Sequence, residues 1–176
     1  MTVTRLGTDD FAAHLPALAG LLVDAVAGGA SVGFLDGLDQ AAALAWWQSR
    51  AGAVADGSLA VWVAGGPDGV TGTISLAYAE KPNARHRAEV VKLAVHRAAR
   101  GRGTGRRLLA AAEEAAAASG ITLLLLDTET AGAAERLYEK AGWCRYGIVP
   151  DYAADPAGTL EDCSFFYKRL SPGRAH

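Results

Sequence analysis

RAARGRGTGRRLL, residues 97–109, is the stretch on which the reading of this chain turns. Between positions 100 and 107 it sets four arginines and three glycines against the start of RRLLAAAEEAAAAS, residues 106–119, a run of strong helix formers closed by Gly120. The first turn of that helix is charged against its dipole. A helix N-terminus offers unpaired N–H groups and about half a positive charge, so a carboxylate there is worth about 0.3–1 kcal/mol and a cation is penalised. Arg106 and Arg107 nevertheless stand in the first turn, and Glu113 and Glu114 sit well inside. Glycine-freed amides flanked by guanidiniums make sense if an outside polyanion completes the site, as a phosphate cradle. The competing reading is an exposed basic helix start in a chain rich in Ala, Gly and Arg.

Working outward, AEVVKLAV (88–95) before the loop reads as a strand, and ITLLLLD (121–127) after the helix as a wholly apolar, central strand. Known phosphate motifs can be separated by spacing. GxxxxGK[ST] is absent, and GxGxxG fails in both registers, because the third glycine falls at Arg106 or at Leu108. The arrangement that fits is R-x-x-G-x-G on Arg100, Gly103 and Gly105.

The remaining chain alternates helix and strand. Helices are expected at 9–26, at 39–54 with Asp39 as N-cap, and at 133–141. A hairpin is expected from SLAVWVA (58–64) and VTGTISLAY (70–78) through GGPDG, and a closing strand at 164–170. GGASVGF (28–34) reads as a glycine-rich loop and DYAADPAGTLE (151–161) as a loop able to cover a site. The 176 residues are 51% hydrophobic and 20% charged, which suits a single domain over residues 1–170 with a tail at 171–176. A net charge of -2 argues against nucleic-acid binding as the main trade. The N-terminus lacks a cationic lead into an apolar run, and the apolar stretch at 15–23 is too short for a bilayer, so a cytoplasmic protein without a membrane role is expected. Two cysteines and four histidines show no ligand spacing, and no metal is expected.

The strand–RxxGxG–helix unit resembles the acetyl-CoA loop of the GNAT superfamily of N-acetyltransferases, and AAERLYEKAGW (133–143) resembles that family's closing A-x-x-x-Y-x-x-x-G-[FW] signature. GGASVGF, KPN (81–83), RAEV (87–90), ARGRG and LDTE (126–129) are similar to the tabtoxin-resistance acetyltransferase branch, over nearly the whole chain. The resemblance implies an α+β (mixed α/β) GNAT fold: a central, mostly antiparallel twisted sheet, with splayed parallel central strands, flanked by helices. It implies acetyl-CoA as co-substrate and transfer of acetyl to a primary amine of a small molecule, a β-lactam amino-acid toxin or another antibiotic, directly in a ternary complex. A protein or peptide acetyltransferase and a non-catalytic acetyl-CoA-binding regulatory module are the alternatives. The partner is a small-molecule amine, and the chain a monomer or homodimer, joined through AWW (45–47) or its final strands.

Residue roles follow. The amides of Gly101, Arg102, Gly103, Thr104 and Gly105 would surround the pyrophosphate with Arg100 beside them, Arg102 or Arg106 would meet the 3′-phosphate, and the main chain of Leu93 and Val95 would pair with pantetheine. An ammonium acceptor needs a base. Glu89 shares a face with Val91 and Leu93 if the strand is regular, and Asp127 ends the leucine strand; each could instead be structural, Glu89 pairing with Arg85 or Arg87 and Asp127 capping a turn. Tyr138 matches the family tyrosine that protonates the departing thiolate; the competing reading is a packed aromatic. Cys144 is the candidate for a covalent route, without an adjacent histidine to activate it. Ser31, Phe34 and Tyr152 are candidate substrate contacts, with GGASVGF otherwise a plain interhelix turn. The pattern departs from the family at Ala131, where Asn is usual, and Thr128 or Thr130 is the expected substitute.

Overall fold

The computed structural model describes residues 1–66 and 69–171. The chain runs β1 (Thr2–Arg5), α1 (Thr8–Ala27), α2 (Gln40–Gln48), α3 (Ala51–Ala55), β2 (Leu59–Gly66), β3 (Gly69–Tyr78), β4 (Arg87–Val95), α4 (Thr104–Ala118), β5 (Leu123–Glu129), α5 (Ala133–Lys140), β6 (Cys144–Ala154) and β7 (Leu160–Arg169). Seven strands form one sheet in the order β1-β2-β3-β4-β5-β7-β6. Every neighbouring pair is antiparallel except β4 and β5 at the centre. This is the GNAT fold expected from the sequence.

Strand alternation divides the core into two layers. Ala60, Trp62, Ile74, Leu76 and Val90 face α4, whose Leu108, Leu109, Ala112 and Ala116 are buried against them. Val61 and Val63 face the other way, onto Phe11, Leu18 and Leu22 of α1 and Trp47 of α2. Trp47 is wholly buried with its ring 6.0 Å from Phe11, so this member of AWW supplies core, while Trp46 is half-buried and Ala45 exposed.

Four differences from the sequence reading have physical causes. The helix expected over 39–54 breaks at Ser49 and Arg50 into α2 and α3. β1 is only four residues long, below the length at which alternation becomes legible. Residues 151–154, expected as part of a loop, belong to β6, an edge strand where the missing N–H of Pro150 costs no ladder bond. Its pairing with β7 shifts register between Val149 and Ala153, and Asp151 sits at φ 53° within the shift. The fourth is β4, which is not regular: it bulges at Lys92 (φ 54°) between the Ser75–Val91 and Thr73–Ala94 pairs. Val91 therefore packs in the α1 layer while Leu93 packs in the α4 layer. Glu89, opposite Ala77, stays on the Val91 side, and the face it was expected to share with Leu93 does not exist. Part of the hairpin turn expected at 65–69 and nearly all of the expected tail lie outside the described residues.

Candidate active site

The parallel pairing of β4 with β5 covers residues 87–89 against 123–125, after which the strands separate. The gap opens into a cavity of about 980 Å³. At one end its wall is main chain and glycine. Leu93 and Val95 line it from the splayed part of β4, and Gly101, Gly103, Thr104, Gly105 and Arg106 line it from the loop and first turn of α4. The helix begins two residues earlier than expected, at Thr104, with Gly103 as N-cap at φ 78°. Among the described residues no side chain caps that turn and no acid lies in it, so its N–H groups are left for a ligand. Gly101 (φ 76°) and Gly103 hold the left-handed conformation that a side chain penalises. A Cβ on Gly105 would stand 3.3 Å from Leu137 of α5. Arg100 lines the same end, with its Nε donating to the Val95 carbonyl (3.1 Å). Its guanidinium thus braces the strand end, a role the sequence did not indicate.

The other end is polar, half-buried and assembled from distant segments. Asp127 of β5, Lys92 of the bulge, Glu129, Tyr138 of α5, Tyr152 of β6 and Cys163 of β7 line it, together with Ser31 and Phe34. Asp127 lies two residues inside β5 rather than at its end, opposite Phe165. Burial raises its carboxyl above the usual range, against the pull of the Lys92 ammonium. Glu89 is raised by burial and by the Asp127 charge. Burial also raises the Tyr138 phenol far above its ordinary value, so it stays protonated. Its ring packs against Trp143 and Phe166.

Of the catalytic, cofactor and substrate candidates named from the sequence, thirteen line this one cavity: Ser31, Phe34, Leu93, Val95, Arg100, Gly101, Gly103, Thr104, Gly105, Arg106, Asp127, Tyr138 and Tyr152. Glu89 and Arg102 stand outside its wall, Glu89 coupled to it through the charge of Asp127. Two members went unnoticed in the sequence. Lys92 looked like an ordinary alternate residue of a strand, and its position depends on the bulge. Cys163, not Cys144, is the cysteine in the cavity; Cys144 is exposed. Burial pushes the Cys163 thiol up to about 11, the opposite of what a covalent acyl carrier needs.

The sequence model of the acetyltransferase (GNAT) domain matches residues 57–145, which run from β2 through the glycine loop to the start of β6. The chain belongs to the GNAT acetyltransferase family. Solved structures agree. The ribosomal-protein-alanine N-acetyltransferase of Brucella melitensis is 27% identical, with a TM-score of 0.78 over 97% of this chain and 100% of that one. A putative acetyltransferase, yncA, from Salmonella typhimurium, solved with its cofactor acetyl-CoA, is 24% identical with a TM-score of 0.76 over 99% and 96%. A putative phosphinothricin N-acetyltransferase is 22% identical with a TM-score of 0.78 over 97% and 99%. The protein is thus a GNAT N-acetyltransferase, and the Salmonella structure contains acetyl-CoA as its cofactor. The uncapped turn of α4 and the unpaired edge of β4 fit that molecule's phosphates and amide arm.

Ala131 explains the family's usual asparagine in physical terms. It sits at φ 63°, the left-handed region that Asn tolerates at less cost than Ala. Its N–H donates to the buried Glu135 carboxylate, which also accepts from Ser164 (2.7 Å) and Arg145 (2.9 Å). Thr130 hydrogen-bonds Ser164 (3.0 Å), which donates to Glu135 of α5, and Thr128 lines the cavity.

Proposed function

We propose that the protein acetylates the primary amine of a compact small molecule, by direct transfer from acetyl-CoA in a ternary complex. The observation that carries this reading is the roof over the polar end. Ser31 Oγ donates to the Ala154 carbonyl (3.4 Å) and the Asp36 N–H to the Pro156 carbonyl (2.8 Å), tying the α1–α2 loop to the turn between β6 and β7. A fastened roof favours a small acceptor over a chain lying in an open groove.

Acetyl-CoA supplies the activated acyl group. Gly101 to Arg106 hold its phosphates, with Arg102 at the cavity's rim, and the main chain of Leu93 and Val95 holds the pantetheine. Asp127, with a raised carboxyl close to the acceptor space, takes the proton from the incoming ammonium. Glu89, whose own carboxyl is raised by burial and by the Asp127 charge, stands behind it as a second acid. Tyr138 supplies a proton to the departing sulfur from a phenol that stays neutral in the cavity wall. Ser31, Phe34 and Tyr152 contact the acceptor. The resemblance to the tabtoxin-resistance branch suggests an antibiotic-like acceptor and a role in resistance. The Brucella relative, by its name, acts on a ribosomal protein, which keeps a peptide amine as the second reading. The test is thiol release from acetyl-CoA with small amines, amine antibiotics and alanine-initiated peptides in parallel. Release confined to small amines supports the proposal, and release confined to peptides overturns it in favour of the second reading.

A further inference from the structure

Lys92 is the one described residue of β4 with a left-handed backbone (φ 54°), at the bulge that opens the cavity. Such a conformation costs a non-glycine residue of order 1 kcal/mol or more, and persists where the surroundings over-determine it. Glycine would satisfy the backbone there, so the side chain is what the position retains. Its ammonium is 5.1 Å from the ring centre of Trp46 and 5.7 Å from that of Phe34, and donates to the Val32 carbonyl (2.9 Å). Trp46 also carries the Arg50 guanidinium, 5.0 Å from its ring centre. Phe34 and Trp46 lie edge to face, 5.6 Å apart. The charge at the end of a β4 side chain is therefore spent on the α1–α2 loop and on α2, within the field of Asp127 of β5. A β-strand bulge is thereby tied to the roof of the acceptor end.

We infer that Lys92 is a positioning residue, which clamps the loop containing Val32 and Phe34 over the acceptor end and holds a cation opposite Asp127. The inference deepens the proposed function and rests on its placing of the acceptor at that end. Both consequences follow from one ammonium. It fixes one roof strand of the pocket by a charge-assisted hydrogen bond and two aromatic contacts. It also offsets the burial that raises the carboxyl of Asp127. The groups that share this field are Glu89 from β4, Tyr138 from α5, Tyr152 from β6, Cys163 from β7, Glu129 farther along β5, and Arg50 facing Lys92 from the turn after α2. Only Lys92 among them brings a positive charge into the cavity wall at the polar end.

Sign follows from charge. Losing the cation raises the carboxyl of Asp127 further, so a pH profile governed by that group moves its acidic limb to higher pH. Two measurements on the free protein need no acceptor: amide exchange of residues 30–36, and titration of the Asp127 carboxyl by carbon NMR. In Lys92→Met, exchange of those amides should quicken roughly tenfold, the value of one charge-assisted hydrogen bond, and the Asp127 midpoint should rise by about one unit. Lys92→Arg should restore most of both. Lys92→Gly, which relieves the backbone strain, guards against a folding defect: it should keep or raise the thermal midpoint and still lose the clamp. Unchanged exchange in residues 30–36, or an unmoved Asp127 midpoint in the Met and Gly variants, overturns the inference. Absence of thiol release with every acceptor would defeat the proposed function and leave these two readouts standing.

Discussion

The two ends of the cavity are built on different principles. The α4 end recognises through main chain: Gly101, Gly103 and Gly105 lie within five residues of one another, and their effect is local. The polar end recognises through side chains from the α1–α2 loop, the β4 bulge, β5, α5, β6 and β7, some of them more than a hundred residues apart. On the proposed function, one end holds acetyl-CoA and the other selects the acceptor. A binding surface made of glycines carries little stored cost beyond backbone entropy. A surface made of partly desolvated carboxylates, a phenol and an ammonium holds groups that would each be more comfortable in water.

That contrast can be broken or sharpened by separating the ends. The largest effect is expected from Asp127→Asn, which should lower kcat/KM roughly 1,000-fold while leaving calorimetric affinity for acetyl-CoA within about twofold. A parallel loss of acetyl-CoA affinity would erase the division between the ends. Tyr138→Phe should lower kcat roughly 100-fold in steady-state thiol release, with KM for the acceptor little changed, because the ring packing with Trp143 and Phe166 is kept. At the other end, Gly105→Val must push against Leu137 and should weaken acetyl-CoA binding roughly 30-fold by calorimetry, with kcat at saturation far less affected.

Smaller effects concern stability. A carboxyl whose folded pKa is raised binds its proton more tightly in the native state, so its contribution is most favourable below its unfolded pKa and is lost as pH rises through the folded value. Asp127→Asn removes that loss, so the thermal midpoint of the variant relative to wild type should be higher at pH 7 than at pH 4. A difference of the same size at both pH values would mean that the carboxyl is not held above its ordinary range. The smallest effect is at Ala131, where Gly or Asn fits φ 63° and should stabilise by about 0.5–1 kcal/mol in denaturant titration.

The same division explains what could be read from the sequence. RxxGxG between an apolar strand and an alanine-rich helix is legible because its function depends on neighbouring residues and on the absence of side chains. The core strands LAVWVA and LLLL announce themselves as short continuous apolar runs, and α4 as a run of strong helix formers. Lys92 was hidden because a single bulge reassigns faces: the same residue in a regular strand would belong to the opposite layer. Cys163 was hidden because only the antiparallel pairing of β7 with β5 sets it opposite Glu129, in the wall that contains Asp127. Glu89 and Asp127 were legible as acids in apolar strands, but the relation between them needed the parallel register of β4 and β5, which places Glu89 beside Leu125.

Calorimetric titration of acetyl-CoA into the wild-type protein, with Gly103→Val alongside, tests most directly that the glycine turn and the splayed strands form the co-substrate end of one catalytic cavity. One site per chain with a dissociation constant of roughly 1–100 μM, lost in Gly103→Val, is the predicted result. Absence of binding by the wild-type protein, or full binding by the valine variant, would contradict it.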